Sequence, residues 1–277
     1  MKKSFVATKS PILAGVIRER TPRAAVAAIK NCELHGADVI DLHLSCLDDE
    51  FKNVESIKFI NDYTNLPVMA LNYNQRYNCS MYECSEEDRV DLLLKAAQAG
   101  STIIDFQGYT YDLESKTSFR EENKKYDYSF VSANPKEVVM DPVIIQKQMD
   151  LFKKVKEMGC EVLLSCHPMV PMSTEQVLDL AKFLEERNPD MIKIVAFAEN
   201  EDDMIEALKT SIVLKREMKT PTHFHCAGAN GKLTRLLNPI LGNGIHFVCD
   251  GYTESSNFEQ LDLQTVKEAT RLINKMI

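Results

Sequence analysis

Two short apolar runs in this 277-residue chain each carry a residue able to do covalent or proton-transfer chemistry. Lys193 lies inside Met191-Ile192-Lys193-Ile194-Val195-Ala196-Phe197, and His167 closes Val162-Leu163-Leu164-Ser165-Cys166-His167. Burial among β-branched residues disfavours an ammonium, so Lys193 is expected to lose part of its proton affinity and to be a candidate Schiff-base nucleophile. A structural reading stands beside it. Lysines in short apolar runs often sit at strand ends and carry the ammonium out to water. His167 precedes Pro168, and taken alone its imidazole reads more simply as a cap on a backbone carbonyl.

Other polar residues end similar runs: Asp41 and His43, Asn72 and Tyr73, Asp105 and Gln107, and His223 and His225. Two-residue alternation puts Asp41 with His43, and Asp105 with Gln107, on one face of an extended chain. His223 and His225 flank Phe224 in the same way; they read either as site residues or as buried imidazoles with satisfied hydrogen bonds. A His-x-His pair also suits a metal, but no acidic third ligand stands out, so no metal is assigned.

The elements that must position these residues follow a simple rhythm. Candidate strands are 12–17, 39–44, 67–71, 102–107, 161–167, 191–197, 222–227 and 245–249, with helical patterns near 21–35, 51–63, 86–99, 145–158, 173–187, 200–217, 230–238 and 262–276. Ser173-Thr174-Glu175-Gln176 and Ser85-Glu86-Glu87-Asp88 read as helix starts, while Gly36, Gly100 and Gly159 follow helical patterns as stop residues do. Eight strand and helix pairs predict a (β/α)8 TIM barrel of the α/β class, with chemistry at the C-terminal strand ends. An open doubly wound sheet is the alternative. Its first turn would carry a glycine-rich fingerprint, and here that turn reads Arg18-Glu19-Arg20-Thr21-Pro22.

A composition of 44% hydrophobic and 27% charged residues is that of a globular protein, and 1–277 reads as a single barrel domain. The rhythm breaks at about 108–141, read as a long connection with an irregular strand near 126–132. A net charge of −8 without a basic tract argues against nucleic acid and anionic membranes as partners, and for a small molecule. No apolar run approaches the roughly 20 residues that span a bilayer, and none resembles a signal peptide, which predicts a cytoplasmic protein. Eight scattered cysteines, several inside apolar runs, predict free thiols; Cys79-x4-Cys84 alone is a poor zinc site.

Gly36-Ala37-Asp38-Val39-Ile40-Asp41-Leu42-His43-Leu44, Ser165-Cys166-His167 and Ile192-Lys193-Ile194-Val195, followed by Cys226-Ala227-Gly228-x-x-Gly231-x-x-Thr234-Arg235 and then Ser256 and Gln260, stand in a telling order. In order and spacing they resemble the type I 3-dehydroquinate dehydratases, from about Pro11 to the C-terminus. The resemblance implies a lyase of the shikimate pathway that dehydrates 3-dehydroquinate to 3-dehydroshikimate, without a cofactor. Lys193 would form an imine with the ring ketone, and His167 would remove the α-proton and then protonate the departing β-hydroxyl. Arg235, with Ser256 and Gln260, would hold the substrate carboxylate, and Asp41, His43 and Tyr73 would face the ring hydroxyls. The resemblance also implies a homodimer.

The chain departs from that pattern. The family's second-strand glutamate and arginine are Asp41 and His43, and Gln107 stands where an acid is expected after the fourth strand. After the third strand the chain reads Asn72-Tyr73-Asn74-Gln75-Arg76, with Arg76 as a stand-in for a displaced arginine. These changes keep the chemistry and alter the recognition, so a Schiff-base aldolase or dehydratase of another keto acid, and a non-catalytic metabolite-binding barrel, stay open as alternatives.

Overall fold

A computed structural model describes residues 4–73, 84–112, 138–252 and 259–276. Nine strands and eight α-helices occur among them. In chain order they are β1 (Ile12–Ile17), α1 (Pro22–His35), β2 (Val39–His43), α2 (Val54–Asp62), β3 (Val68–Leu71), α3 (Glu86–Gln98), β4 (Ile103–Gln107), α4 (Pro142–Glu157) and β5 (Glu161–Cys166). They continue with α5 (Thr174–Glu185), β6 (Met191–Phe197), α6 (Glu201–Glu217), β7 (Thr222–Ala227), α7 (Lys232–Gly242), β8 (Ile245–Cys249), β9 (Leu261–Asp262) and α8 (Leu263–Ile273). Each of β1 to β8 is followed by a helix, which is (β/α)8 barrel connectivity.

The chain forms two compact units. The first is Met1–Asp105, Val155–Glu161 and Ile245–Ile277; the second is Phe106–Lys154 and Val162–Gly244. Strand order is β3-β2-β1-β8-β9 in the first and β7-β6-β5 in the second, and β4 contributes residues to both. The paired strands are parallel and their residues almost wholly buried, the polar Asp41, His43, Lys193, His223 and His225 included.

One device sets register three times. Asp38 precedes β2; its backbone N–H donates to the Leu13 carbonyl at 2.8 Å, and its Oδ2 accepts from the Leu13 N–H at 2.9 Å. Asp190, just before β6, makes the same pair of bonds with Val162 of β5, both at 2.8 Å. Thr102, before β4, does so with Val68 through its hydroxyl. A one-residue slip would turn every side chain to the opposite face, so these double ties at the strand starts also fix which residues face the site.

Helix ends follow the sequence signals. Ser173 and Gln176 close a capping box on α5, Ser85 accepts from the Asp88 N–H, and Gly36, Gly100 and Gly159 have φ of 91°, 82° and 84°. Several boundaries differ from expectation, two of them in elements that carry candidate site residues. α7 continues past Pro239 to Gly242, where the 230–238 pattern stops. Asn238 steadies that turn, its Nδ2 donating to the carbonyls of Ala207 and Phe224 at 3.2 and 3.1 Å. β5 ends at Cys166, leaving His167 just beyond the strand. The irregular strand expected near 126–132 lies outside the described residues.

Candidate functional site

In the second unit, register brings the candidate nucleophile and the histidines to one face. Ser165 of β5 pairs with Lys193, and Lys193 and Val195 of β6 pair with His223 and His225 of β7. Alternation puts Ser165, His167, Lys193, Val195, His223 and His225 on the same side. His167 is held in place beyond β5 by continued stitching to β6: Met169 N–H donates to the Val195 carbonyl at 3.4 Å, and Phe197 N–H to the Val170 carbonyl at 3.0 Å. Lys193 is 5% exposed.

His223 Nε2 and His225 Nδ1 share a hydrogen bond of 2.7 Å between buried rings. Desolvation holds the His225 pKa well below the usual imidazole value, reinforced in turn by the positive charges of Arg235, His223, Lys193 and His167. The lysine, the strand-end histidine and the arginine singled out from the sequence are therefore near enough for their charges to act on one buried imidazole.

Arg235 owes its place to a tight turn between β7 and α7. A Cβ on Gly231 would come 2.3 Å from the Ala227 carbonyl oxygen, so only glycine fits there. Gly228 has φ of 90°, the left-handed region. Thr234 Oγ1 accepts from the Cys226 N–H at 2.9 Å and donates to the Gly231 carbonyl at 2.6 Å, hooking the first turn of α7 to the end of β7. Arg235 is the next residue.

The first unit carries the remaining polar set. Asp41 Oδ2 stands 3.4 Å from His43 Nε2, both side chains buried, and Asp41 Oδ1 has no hydrogen-bond partner among the described residues. Tyr73 donates its hydroxyl to Asp105 Oδ2 at 2.8 Å, and its ring meets that of His43 edge-on with centroids 6.4 Å apart. Asn72 turns away from this group: its Nδ2 donates to the Arg89 carbonyl at 3.2 Å, and Arg89 Nη1 donates back to the Asn72 carbonyl at 3.1 Å. It fastens α3 to the end of β3. Gln107 is buried at the end of β4, in the second unit. Ser256 and Arg76 lie outside the described residues.

Gln260 is 4% exposed, and its Oε1 accepts from Arg18 Nη1 at 3.4 Å. Both border a cavity of about 200 Å³ that Glu19, Asn31, Cys249 and Asp250 also line. Sequence reasoning missed Arg18 as a site residue. The signal was present, since Arg18 directly follows Ile17 at the C-terminal end of β1, where barrel chemistry collects.

A curated 3-dehydroquinate dehydratase from Alkaliphilus oremlandii is 27% identical over 119 residues, a match spanning 42% of this chain and 46% of that protein. The structure of a type I 3-dehydroquinate dehydratase from Clostridium difficile superposes with a TM-score of 0.76 at 14% identity and covers 100% of both chains. The 3-dehydroquinate dehydratase of Geobacillus kaustophilus gives 0.72 at 14% identity, over 96% of this chain and 91% of its own. These structures share the barrel fold. The family model for type I 3-dehydroquinase matches residues 15–277, nearly the whole chain, and the protein belongs to that family.

Proposed function

We propose that the protein is a carbon-oxygen lyase that dehydrates 3-dehydroquinate to 3-dehydroshikimate through an imine on Lys193. The observation that carries this reading is the convergence of Lys193, His167 and Arg235 on His225 in a chain of this family. The Lys193 nitrogen attacks the ring ketone and water leaves, giving an iminium that accepts electron density from the neighbouring carbon. His167 removes the α-proton there. The electron pair then expels the β-hydroxyl, which departs as water with the proton His167 returns, and hydrolysis frees Lys193.

Arg235 anchors the substrate carboxylate through its guanidinium fork, and the family resemblance assigns Gln260 and Ser256 to the same carboxylate. Asp41, His43 and Tyr73 read the ring hydroxyls, and the Asp41 oxygen without a partner is an acceptor suited to one of them. Asp41 and His43 replace a longer acid and an arginine of the family pattern. That change favours, as a second reading, a closely related cyclic keto acid handled by the same chemistry.

The reading extends to a single-domain cytoplasmic homodimer. Seven free cysteines among the described residues suit a reducing compartment, and among those residues no helix is long and apolar enough to cross a membrane. Borohydride reduction in the presence of 3-dehydroquinate should add the mass of the reduced adduct at Lys193. Enone absorbance should follow product formation and vanish in Lys193→Ala. Turnover surviving in that variant would refute the mechanism.

A further inference from the structure

Arg187 is a buried cation that the chemistry above leaves unused. We propose that Arg187, acting with Gln148, is a positioning residue for His167: the pair locks the Gly108 carbonyl, Gly108 holds the end of β5, and the proton-transfer imidazole follows two residues on. The inference rests on the reading of Lys193 as the imine former and His167 as its base.

A guanidinium withdrawn from water is usually paired with a carboxylate, because its charge is costly to strip of hydration. Arg187 is 2% exposed, and among the described residues its bonds go to neutral oxygens. Nη1 donates to Gln148 Oε1 and Nη2 to the Val139 carbonyl, both at 2.6 Å, and Nη1 makes a longer contact of 3.5 Å with the Gly108 carbonyl. The fork also lies over the Phe183 ring, 4.9 Å from its centroid. An apolar side chain of similar volume would often be as stable in such a place. What the guanidinium adds is geometry, since its donors are fixed in one plane.

Gly108, just past β4, is the hub of that geometry. Its carbonyl accepts from the Val139 N–H at 3.0 Å and from Gln148 Nε2 at 3.1 Å besides the Arg187 contact, while its own N–H donates to the Ser165 carbonyl at 2.7 Å. Gln148, fully buried, also donates to the Thr110 carbonyl at 2.6 Å, and Thr110 bonds back to the Gln107 carbonyl through its N–H at 2.9 Å and its hydroxyl at 2.7 Å. The turn after β4 is thereby fixed, and the Gly108 to Ser165 bond passes that fixity to β5 just ahead of His167.

His167 stands between two ties. Ser165 is bound to the β4 end before it, and the Met169 N–H donates to Val195 of β6 after it, at the longer distance of 3.4 Å. Burial is the largest influence on the Arg187 guanidinium and the Cys166 thiol the next. Cys166 faces away from the side that Ser165 and His167 share, so Arg187 lies behind the strand and acts through it. Lys193 is placed differently. It sits within β6, paired with Ser165 on one side and His223 on the other, and needs no such turn. Loosening the hub therefore displaces the base while leaving the amine in register, and a misplacement of about 1 Å can cost about a hundredfold in rate.

The test separates imine formation from proton abstraction. Protein is mixed with 3-dehydroquinate and quenched with borohydride at successive times. Intact mass distinguishes the substrate adduct from the dehydrated adduct, which is lighter by one water, and absorbance follows the enone. In Arg187→Met the substrate adduct should form at the wild-type rate and accumulate, while dehydrated adduct and enone appear about tenfold or more slowly. In steady state kcat should fall with KM little changed, and deuterium at the abstracted position should slow the variant more than the wild type. Gln148→Glu keeps a partner for Arg187 and removes both donors to the turn, so it should give the same split even if Arg187→Met fails to fold. Both adducts slowed in proportion, or neither slowed, in a folded variant would overturn the proposal. Absence of any adduct in the wild-type protein would instead overturn the imine reading itself.

Discussion

Tyr73 and Asp105 are joined by a hydrogen bond of 2.8 Å from the phenolic oxygen to Oδ2, and both side chains are withdrawn from water. Tyr73 follows β3 and Asp105 lies in β4, so the bond ties two strand ends together beside the His43 ring. Removing the hydroxyl leaves a buried carboxylate oxygen short of a donor, which costs roughly 1–3 kcal/mol. Tyr73→Phe should therefore lower the urea midpoint without changing the slope of the transition. An unchanged midpoint would mean that water replaces the phenol at Asp105.

Asp41 offers a sharper test of recognition. Its Oδ2 faces His43 at 3.4 Å, while Oδ1 has no hydrogen-bond partner among the described residues. If that oxygen accepts a substrate hydroxyl, Asp41→Asn should raise KM for 3-dehydroquinate by about tenfold, the equivalent of one hydrogen bond to a charged group. A substrate analogue lacking the hydroxyl should bind both proteins alike. Steady-state kinetics and inhibition constants for the pair measure this directly.

The turn ahead of α7 predicts an effect transmitted to Arg235. Thr234 supplies the hydroxyl that accepts from Cys226 N–H at 2.9 Å and donates to the Gly231 carbonyl at 2.6 Å. Thr234→Val keeps the shape and deletes both bonds. Affinity for a carboxylate-bearing competitive inhibitor should fall about tenfold or more, while borohydride trapping of a keto compound without a carboxylate stays near the wild-type level. Equal losses for both ligands would show that the turn supports the whole site rather than the anion anchor.

Much of this arrangement was legible in the sequence because single residues carried it. β1, β6, β7 and β8 run over the expected residues, since short stretches rich in apolar and β-branched or aromatic residues, bounded by turn signals, read as strands. The two-residue β9 was invisible, being too short for any periodicity. α7 outran its pattern because the buried Asn238 side chain carries the turn through Pro239, a compensation that depends on Ala207 and Phe224, distant in sequence. Arg18 is hard to single out because it opens a turn with two further charged residues, Glu19 and Arg20, and so reads as a solvated loop position.

Arg187 is hidden in the sequence for a different reason. At the end of a helical pattern an arginine reads as a solvated charge, yet here it is 2% exposed, its Nη1 donating to Gln148 Oε1 and its Nη2 to the Val139 carbonyl, both at 2.6 Å. Burial pulls its pKa down to about 10. Val139 lies shortly before α4, so Arg187 fastens the approach to that helix. Arg187→Met keeps the volume and deletes the bonds. Amide hydrogen exchange at Val138, Val139 and Met140 should accelerate while far-UV circular dichroism is unchanged, because the loss is local. Unaltered exchange there would rule out the anchor.

The His225 imidazole should also leave a mark on stability against pH. Burial and the neighbouring Arg235, His223, Lys193 and His167 charges set its folded pKa well below the value of about 6.5 that it regains on unfolding. Above that value the ring is neutral in both states and contributes no slope. Below it the unfolded chain binds a proton that the folded protein refuses, so the unfolded state gains and stability falls as pH falls, by up to about 1.4 kcal/mol per pH unit. Substituting a group that does not titrate removes this one contribution and leaves those of the other histidines. His225→Asn should thus show a shallower loss of urea stability between about pH 6.5 and 5 than the wild type, even if its stability at pH 8 is lower. Parallel curves would mean that His225 takes up its proton in the folded protein as readily as in the unfolded chain, and the surrounding cations would then have to be farther from the ring than its β7 position places them.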